Sequence, residues 1–117
     1  KEVLQTIGYF DKKFFCYFED NDLCIRAKKY GFGVYYIPKS TIWHKISKSS
    51  NSSIKIYYLT RNRIYFESKN ATFLQKISFG LFFTKDLVTF LIKSLFKLQF
   101  LEIKFFFKGI KEGLSLS

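Results

Sequence analysis

The chain has 117 residues, which is enough for one modest domain with a single core. Its two cysteines are too few for a four-cysteine zinc site, and we expect them to be reduced, buried thiols of a cytosolic domain. The formal net charge of +11 favours an anionic partner. Phenylalanine mixed with lysine suits a membrane interface better than a nucleic-acid groove, so we expect no nucleic-acid partner.

The first part of the chain leads up to a cluster of carboxylates. Residues 1–13 are typical of a short helix or turn followed by a loop at 8–11, and the apolar run 14–18 predicts a buried strand or extended segment. Because the sequence starts with Lys1 and contains no methionine, we expect a piece of a longer protein whose other motifs lie upstream.

The acidic cluster consists of Glu19, Asp20 and Asp22, and it coincides with the start of a predicted helix. Carboxylates in a first turn interact favourably with the N-terminal dipole, and aspartate is a good cap. Apolar residues then recur at helical spacing up to Tyr30, and Gly31 is typical of the residue that ends a helix.

Two short β-rich segments follow this helix. Residues 34–37 are stopped by Pro38, and residues 41–44 end on the only histidine of the chain, His44. Both segments are predicted to be strands or extended pieces.

A polar, serine-rich stretch at 45–53 predicts a loop. A helix should begin at Ser52 or Ser53 and end near a break at 70–72. We expect one side of this helix to carry Ile54, Tyr57, Tyr58, Arg61, Ile64 and Tyr65.

From Phe73 onward Phe, Leu, Ile and Lys dominate, and charged residues interrupt every apolar run that would be long enough to span a membrane. On a helical wheel over residues 85–111, at about 100° per residue, an arc of roughly 60° holds one acidic and five basic residues. They are Asp86, Lys93, Lys97, Lys104, Lys108 and Lys111. Such a stripe is typical of a helix that lies in a membrane surface. An amphipathic helix packed on another domain is the alternative.

Taken alone, the acidic cluster permits three interpretations. Asp20-x-Asp22 would suit Mg²⁺ or Mn²⁺ bound to a nucleotide diphosphate, because these ions prefer hard oxygen ligands. Asp20 would alternatively be a general base whose pKa is raised by its acidic neighbours. The cluster would otherwise be a solvated helix cap, and His44 a buried structural imidazole.

Several short motifs follow one another in a fixed order over residues 1–69. They are Gly8-Tyr9-Phe10-Asp11, Phe14-Phe15, the run YFEDNDLCIRAKKYGF, Ile37-Pro38, Trp43-His44 and Tyr58-x-x-Arg61-Asn62. Together they resemble the C-terminal half of family 2 glycosyltransferases. The resemblance is greatest to the rhamnosyl- and galactofuranosyltransferase-like branch that builds surface glycans.

The resemblance implies a role for each candidate residue. Asp20 would be the catalytic base, and His44 would ligate a divalent Mn or Mg ion on the donor diphosphate. Glu19 and Asp22 would orient the acceptor hydroxyls or fix Arg26. The remaining two candidates, Arg61 and Asn62, would bind the donor phosphates or stabilise the loop after His44.

The resemblance also implies the fold, the partners and the location. We expect an α/β fold, the acceptor-side C-terminal half of a GT-A-type domain at 1–69, followed by an amphipathic basic helical tail at 70–117. The expected activity is metal-dependent, inverting transfer from a nucleotide-sugar donor to a glycan or lipid-linked acceptor, at the cytoplasmic face of a membrane that the tail contacts peripherally. The alternative is a non-catalytic basic module that binds membranes or nucleic acid.

Overall fold

The computed structural model describes residues 1–43 and 52–117. These residues form five helices, with bounds as follows: α1 Glu2–Ile7, α2 Glu19–Lys29, α3 Ser52–Asn70, α4 Phe73–Phe96 and α5 Phe100–Ser115. The predicted starts of α2 and α3 and the break at 70–72 are confirmed. The tail is helical as predicted.

The predicted α/β fold is wrong, because the described part of the chain contains no strand. Residues 34–37 and 41–43 have no regular secondary structure, and no strand among the described residues pairs with them. A strand is stable only when its backbone groups are bonded to a neighbour. Instead these segments are exposed to solvent, and Trp43 is 98% exposed.

The apolar run 14–18 is not a strand either. Phe15, Tyr17 and Phe18 all have positive φ angles, of 62°, 66° and 71°. A β-strand requires φ near −120°, so the backbone here coils instead of extending. Only Phe14 of this run is fully buried, where its ring lies 4.9 Å from the ring of Tyr65.

Helices α3 and α5 run parallel and in close contact. Ser52 at the start of α3 donates a hydrogen bond to Glu102 near the start of α5, at 2.6 Å. Further along, Gly109 and Gly113 of α5 lie against the α3 backbone near Arg61. A Cβ atom on Gly113 would stand 2.8 Å from the carbonyl oxygen of Arg61, so only a residue without a side chain permits this approach.

Helix α4 connects these two parallel helices and packs on both. Its Phe90 ring stacks on Phe106 of α5 at 4.5 Å, and its Asp86 forms an ion pair with Arg63 of α3 at 2.9 Å. The tail is not one continuous helix, because α4 ends at Phe96 and Leu98 takes a φ of 53°. The single helical wheel over 85–111 is therefore wrong, and α4 and α5 present separate faces.

Candidate active site

The candidate site is built around the irregular loop that precedes α2. Positive φ angles are unfavourable for residues with a Cβ, and they persist only where surrounding contacts enforce them. Three such angles within residues 15–18 turn several carbonyl groups toward α3. These carbonyl groups require donors, since buried backbone acceptors are almost always paired.

Asn62 of α3 supplies the central donor. Its side chain is fully buried, and its Nδ2 lies 2.7 Å from the oxygen of Phe14, 2.5 Å from that of Cys16 and 3.0 Å from that of Tyr17. One amide group thus bonds three carbonyls of one loop. The loop that Asn62 stabilises is 14–17. The loop after His44, which the resemblance assigned to Asn62, begins outside the described residues.

Arg61 binds the same loop from the neighbouring position. Its Nη2 donates to the carbonyl oxygens of Lys13 at 2.5 Å and Phe14 at 2.9 Å, and its Nε donates to Asn62 Oδ1 at 2.8 Å. The guanidinium also lies over the rings of Tyr57 and Tyr58, at 5.7 Å and 5.0 Å from their centroids. Arg61 is therefore committed to holding the loop.

Asp22 lies at the centre of a buried ion-pair network. Its side chain is 0% exposed, and Arg26 Nε donates to its Oδ2 at 2.8 Å. Lys69 Nζ lies 2.9 Å from its Oδ1 and 2.8 Å from Asp11 Oδ2, while Asn70 donates to Asp22 Oδ1 at 3.3 Å. Both oxygens of Asp22 are thus occupied, and the predicted contact with Arg26 is present.

The network sets the protonation of its members. Burial by itself raises the pKa of Asp22, but the hydrogen bonds from Lys69, Arg26 and Asn70 outweigh it and leave that pKa below its ordinary value. The same balance, with Lys69 as the main partner, lowers the pKa of Asp11. Burial by itself lowers the pKa of the Lys69 ammonium, but the carboxylates of Asp11 and Asp22 raise it by more. The pKa of Lys69 therefore lies above its ordinary value.

Arg26 connects this network to the loop that follows α1. Its guanidinium donates hydrogen bonds to the carbonyl oxygens of Ile7, Gly8 at 3.3 Å and Tyr9 at 2.7 Å. A single side chain on α2 therefore fixes the turn that ends α1. Asp22, by holding Arg26, supports the loop at 7–9 as well as its own helix.

Glu19 and Asp20 occupy a different environment from Asp22. Asp20 is exposed, and its Oδ1 accepts the backbone N–H of Asn21 at 2.8 Å. Glu19 is partly buried, and its Oε2 is shielded from solvent yet accepts no hydrogen bond from the described residues. An unpaired buried carboxylate oxygen is unfavourable, and a donor from a ligand would relieve it.

Two open clefts meet at Glu19. The first, of about 460 Å³, is lined by Phe10, Asp11, Lys12, Phe15 and Glu19. The second, of about 550 Å³, is lined by Cys16, Tyr17, Phe18, Glu19, Asp20, Asn21 and Leu59. The Glu19-Asp20 pair therefore lies at a concave, partly aromatic surface, which is the usual environment of a small-molecule site.

The predicted metal ligand, His44, lies outside the described residues. Within residues 1–43 and 52–117, no three His, Cys, Asp or Glu side chains are close enough together to hold a metal ion. Asp20 and Asp22 do not form a metal-binding pair, because both Asp22 oxygens are taken by cations and an amide. The described residues by themselves do not fit a divalent cation site.

Sequence reasoning missed the residues that support the site from α3. Lys69 joins Asp11 to Asp22, and the hydroxyl of Tyr65 donates to Asp11 Oδ2 at 2.9 Å. The available signal was position on a helix: Arg61, Asn62, Tyr65 and Lys69 follow one another at helical spacing, so they share one side of α3. Polar residues on the buried side of a helix require polar partners.

Comparison with known proteins gives one match. A family model described as glycosyltransferase like family 2 matches residues 1–66, which is more than half of the chain. No curated protein and no solved structure matches the chain. The matched range ends within α3 and contains the irregular loop, the acidic cluster, Arg61 and Asn62.

Proposed function

This chain belongs to the glycosyltransferase-like family 2. We propose that it contributes to the transfer of a sugar from a nucleotide-sugar donor to a glycan or lipid-linked acceptor, and that Glu19 and Asp20 are the residues that act on the acceptor. The predicted family is confirmed, and the roles of individual residues are the proposal. Within the family, we favour the rhamnosyl- and galactofuranosyltransferase-like branch because of the motifs quoted above.

The main support for the proposal is that the three carboxylates of the acidic cluster lie in different environments. Asp22 is fully buried and neutralised by Arg26 and Lys69. Asp20 is exposed at a cleft, and Glu19 has a buried oxygen without a donor among the described residues. Asp22 is thus committed to holding α2 in place, whereas Glu19 Oε2 lacks a donor in the described part of the chain and the exposed Asp20 carboxylate is accessible to a substrate.

Asp20 acts as the general base in this proposal. The acceptor hydroxyl oxygen forms a bond to the anomeric carbon while the bond from that carbon to the diphosphate oxygen breaks. The hydroxyl proton passes to the Asp20 carboxylate, and the nucleoside diphosphate leaves with the bonding electron pair. Attack from the face opposite the leaving group inverts the anomeric centre, and a positioned base contributes about 10²–10⁴-fold to such a step.

Glu19 orients the acceptor. Its Oε2 accepts a hydrogen bond from a neighbouring acceptor hydroxyl, which satisfies the oxygen that is otherwise unpaired. The exposed rings that line the two clefts, Phe10, Phe15 and Tyr17, provide apolar surfaces against which a sugar ring packs. A dependence on Mn²⁺ or Mg²⁺ through His44 stays a prediction, and no step is assigned to the ion because the described residues do not assemble its site.

The test is the substitution Asp20→Asn in the complete protein, with release of nucleoside diphosphate measured over a panel of nucleotide sugars and glycan acceptors. The amide keeps the shape of the side chain and removes the proton acceptor. We expect kcat to fall by about 10²-fold or more, with little change in donor affinity. Asp86→Asn is the matched control, because Asp86 is an exposed aspartate on α4 and should leave kcat unchanged.

A kcat of Asp20→Asn within a few-fold of the parent protein would overturn the assignment of the base. An equally large loss in Asp86→Asn would show that the assay reports general destabilisation. Glu19→Gln separates the two carboxylates further, because it should raise the acceptor KM more than it lowers kcat.

A further inference from the structure

The two clefts that meet at Glu19 differ in the chemistry they offer. The second cleft contains the exposed carboxylate of Asp20. The first cleft contains Asp11 instead, and both oxygens of Asp11 are occupied: Oδ1 accepts the backbone N–H of Lys13 at 3.0 Å, and Oδ2 lies 2.8 Å from Lys69 Nζ. Apart from the shared Glu19, the first cleft therefore offers contacts to a ligand without a free carboxylate to take a proton.

Phe15 presents its ring at the first cleft on an unfavourable backbone. Its φ of 62° is rare for a residue with a bulky side chain. Phe15 is nevertheless 76% exposed, so burial of the ring does not account for this conformation. Residues strained in this way are concentrated at ligand sites, where the surrounding structure holds a group in position.

The Phe15 ring is fixed by contacts with α3. It stacks on the ring of Tyr58, with the centroids 5.2 Å apart and the planes inclined by 28°. The Arg61 guanidinium lies 5.0 Å from the centroid of the Tyr58 ring and holds it in turn. A ring that is already fixed loses little conformational entropy when a ligand packs on it, so it contributes more to affinity. Phe10, which is 55% exposed, adds a second ring to the first cleft.

The combination of side chains in the first cleft suits a sugar unit. A sugar ring packs the C–H groups of its face on aromatic rings, and the hydroxyls at its edge need polar partners. The Lys12 ammonium can donate to such hydroxyls, and Glu19 Oε2 can accept from one. A hydrocarbon chain would leave these charged groups without partners. A nucleoside diphosphate would bring negative phosphates toward the Glu19 carboxylate.

We propose that the acceptor is a chain of at least two sugar units, and that the two clefts bind adjacent units. The unit whose hydroxyl attacks lies in the second cleft, beside Asp20 and Tyr17. The neighbouring unit packs on Phe15 in the first cleft, and Glu19 accepts a hydrogen bond where the two units join. The inference rests on the proposed function; it adds the length of the acceptor and makes Phe15 a specificity-determining residue.

Calorimetric titration in the absence of a donor tests the proposal. The complete protein is titrated with methyl glycosides of one and of two sugar units, in rhamnose, galactofuranose, mannose and glucose series. In at least one series we expect the two-unit glycoside to bind about tenfold more tightly than the one-unit glycoside, because a second sugar face is buried against an aromatic ring.

Substitutions at Phe15 test the role of the ring. Phe15→Leu keeps an apolar side chain but removes the flat ring, so the tenfold advantage of the second unit should fall below about twofold. Phe15→Tyr keeps the ring and should retain the advantage. Phe10→Leu, at the other ring of the cleft, should reduce it as well. Phe73→Leu is the matched control, because Phe73 is also 76% exposed but lies on α4 and lines neither cleft, and it should bind like the parent protein.

Four results would overturn the proposal. The first is absence of binding by every glycoside, and the second is equal affinity for one and two units in every series. The third is a one-unit octyl glycoside that gains the same advantage and loses it in Phe15→Leu, which would assign the first cleft to a hydrocarbon chain. The fourth is uridine diphosphate that competes with the two-unit glycoside and binds more weakly to Phe15→Leu, which would assign the cleft to the nucleotide.

Failure of the proposed reaction has a different signature. If Asp20→Asn kept the turnover of the parent protein while the advantage of the second sugar unit still depended on Phe15, the assignment of the base would be wrong and the two-unit binding site would stand. If Asp20→Asn abolished turnover while one- and two-unit glycosides bound equally, the base would stand and the two-unit site would be wrong.

Discussion

The loops that carry the candidate site and the helices behind them are held by different kinds of interaction. Residues 7–22 are fixed by long polar side chains, chiefly Arg26, Arg61, Asn62 and Lys69, which reach carbonyl and carboxylate oxygens. Helices α3 and α5 instead approach each other closely at two glycines, and α4 packs on α5 through the stacked rings of Phe90 and Phe106. The stability of residues 7–22 therefore depends on their hydrogen bonds and ion pairs, whereas the packing of α3, α4 and α5 depends on the complementary shapes of their surfaces.

This difference has a physical origin in the backbone. A helix bonds its own amide and carbonyl groups, so its sides can pack without further donors. The loop at 13–18, with three positive φ angles in residues other than glycine, leaves carbonyls that only side chains can satisfy. This irregular loop leads directly into Glu19 and Asp20, which line the clefts. The hydrogen bonds from Arg61 and Asn62 stabilise the loop in this conformation.

The comparison predicts that breaking a buried polar partner has the largest effect on folding. In Asp22→Asn the side chain keeps its shape, but Arg26 and Lys69 lose their common counter-charge. Removing one partner of a buried ion pair typically costs 3–5 kcal/mol, and we expect about 4 kcal/mol in the free energy of unfolding. Denaturant unfolding measures this loss, with Asp86→Asn, an exposed Asp–Arg pair, as the control expected to lose less than about 1 kcal/mol.

The same substitution should also change the pH dependence. The folded pKa of Asp22 lies below its unfolded value, so its contribution is present above about pH 4 and is lost as the pH falls through the folded pKa. The unfolding free energy of Asp22→Asn should therefore fall less steeply on acidification than that of the parent. An identical acid profile in both proteins would contradict this assignment of charge.

The second prediction concerns the loop and its donor. Asn62→Ala removes hydrogen bonds to the carbonyls of Phe14, Cys16 and Tyr17, and it should destabilise the protein by about 2 kcal/mol. The loop would then sample other backbone angles, so kcat should fall by more than KM rises. Asn70→Ala is the comparison, because Asn70 makes longer hydrogen bonds and should leave kcat unchanged. It donates to Asp22 at 3.3 Å and to Phe66 at 3.2 Å, and it accepts from Lys29 at 3.4 Å.

Local patterns predicted the helices well. Acidic residues in a first turn and Gly31 after the last turn set the limits of α2, and the break at 70–72 separated α3 from α4. These features act over a few residues, so they can be read from neighbours in the sequence. The family, too, followed from short motifs in a fixed order.

Contacts between distant residues were not predictable in this way. Lys69 reaches Asp11 across 58 positions, and Asn62 reaches Phe14 across 48. The strands assigned from β-rich composition failed because a strand also needs a partner, which composition does not supply. The acidic cluster was recognised as a unit, yet its division into a buried Asp22 and the cleft-lining Glu19 and Asp20 depends on where α3 packs.

The last prediction tests fit in the scaffold with a matched pair of glycines. A Cβ atom on Gly113 would stand 2.8 Å from the carbonyl oxygen of Arg61 and 3.0 Å from Ile64 Cβ, whereas one on Gly80 would meet nothing within 4 Å. Both glycines are helical, so alanine gains about 1 kcal/mol of helix propensity at each. At Gly80 that gain should appear in full as added stability. At Gly113 the forced separation of α5 from α3 should outweigh it and leave a net loss of about 1 kcal/mol. Chemical unfolding of Gly80→Ala and Gly113→Ala gives the two signs directly. Equal stabilisation by both substitutions would mean that α5 does not pack on α3 through its backbone, and that Arg61 is positioned without it.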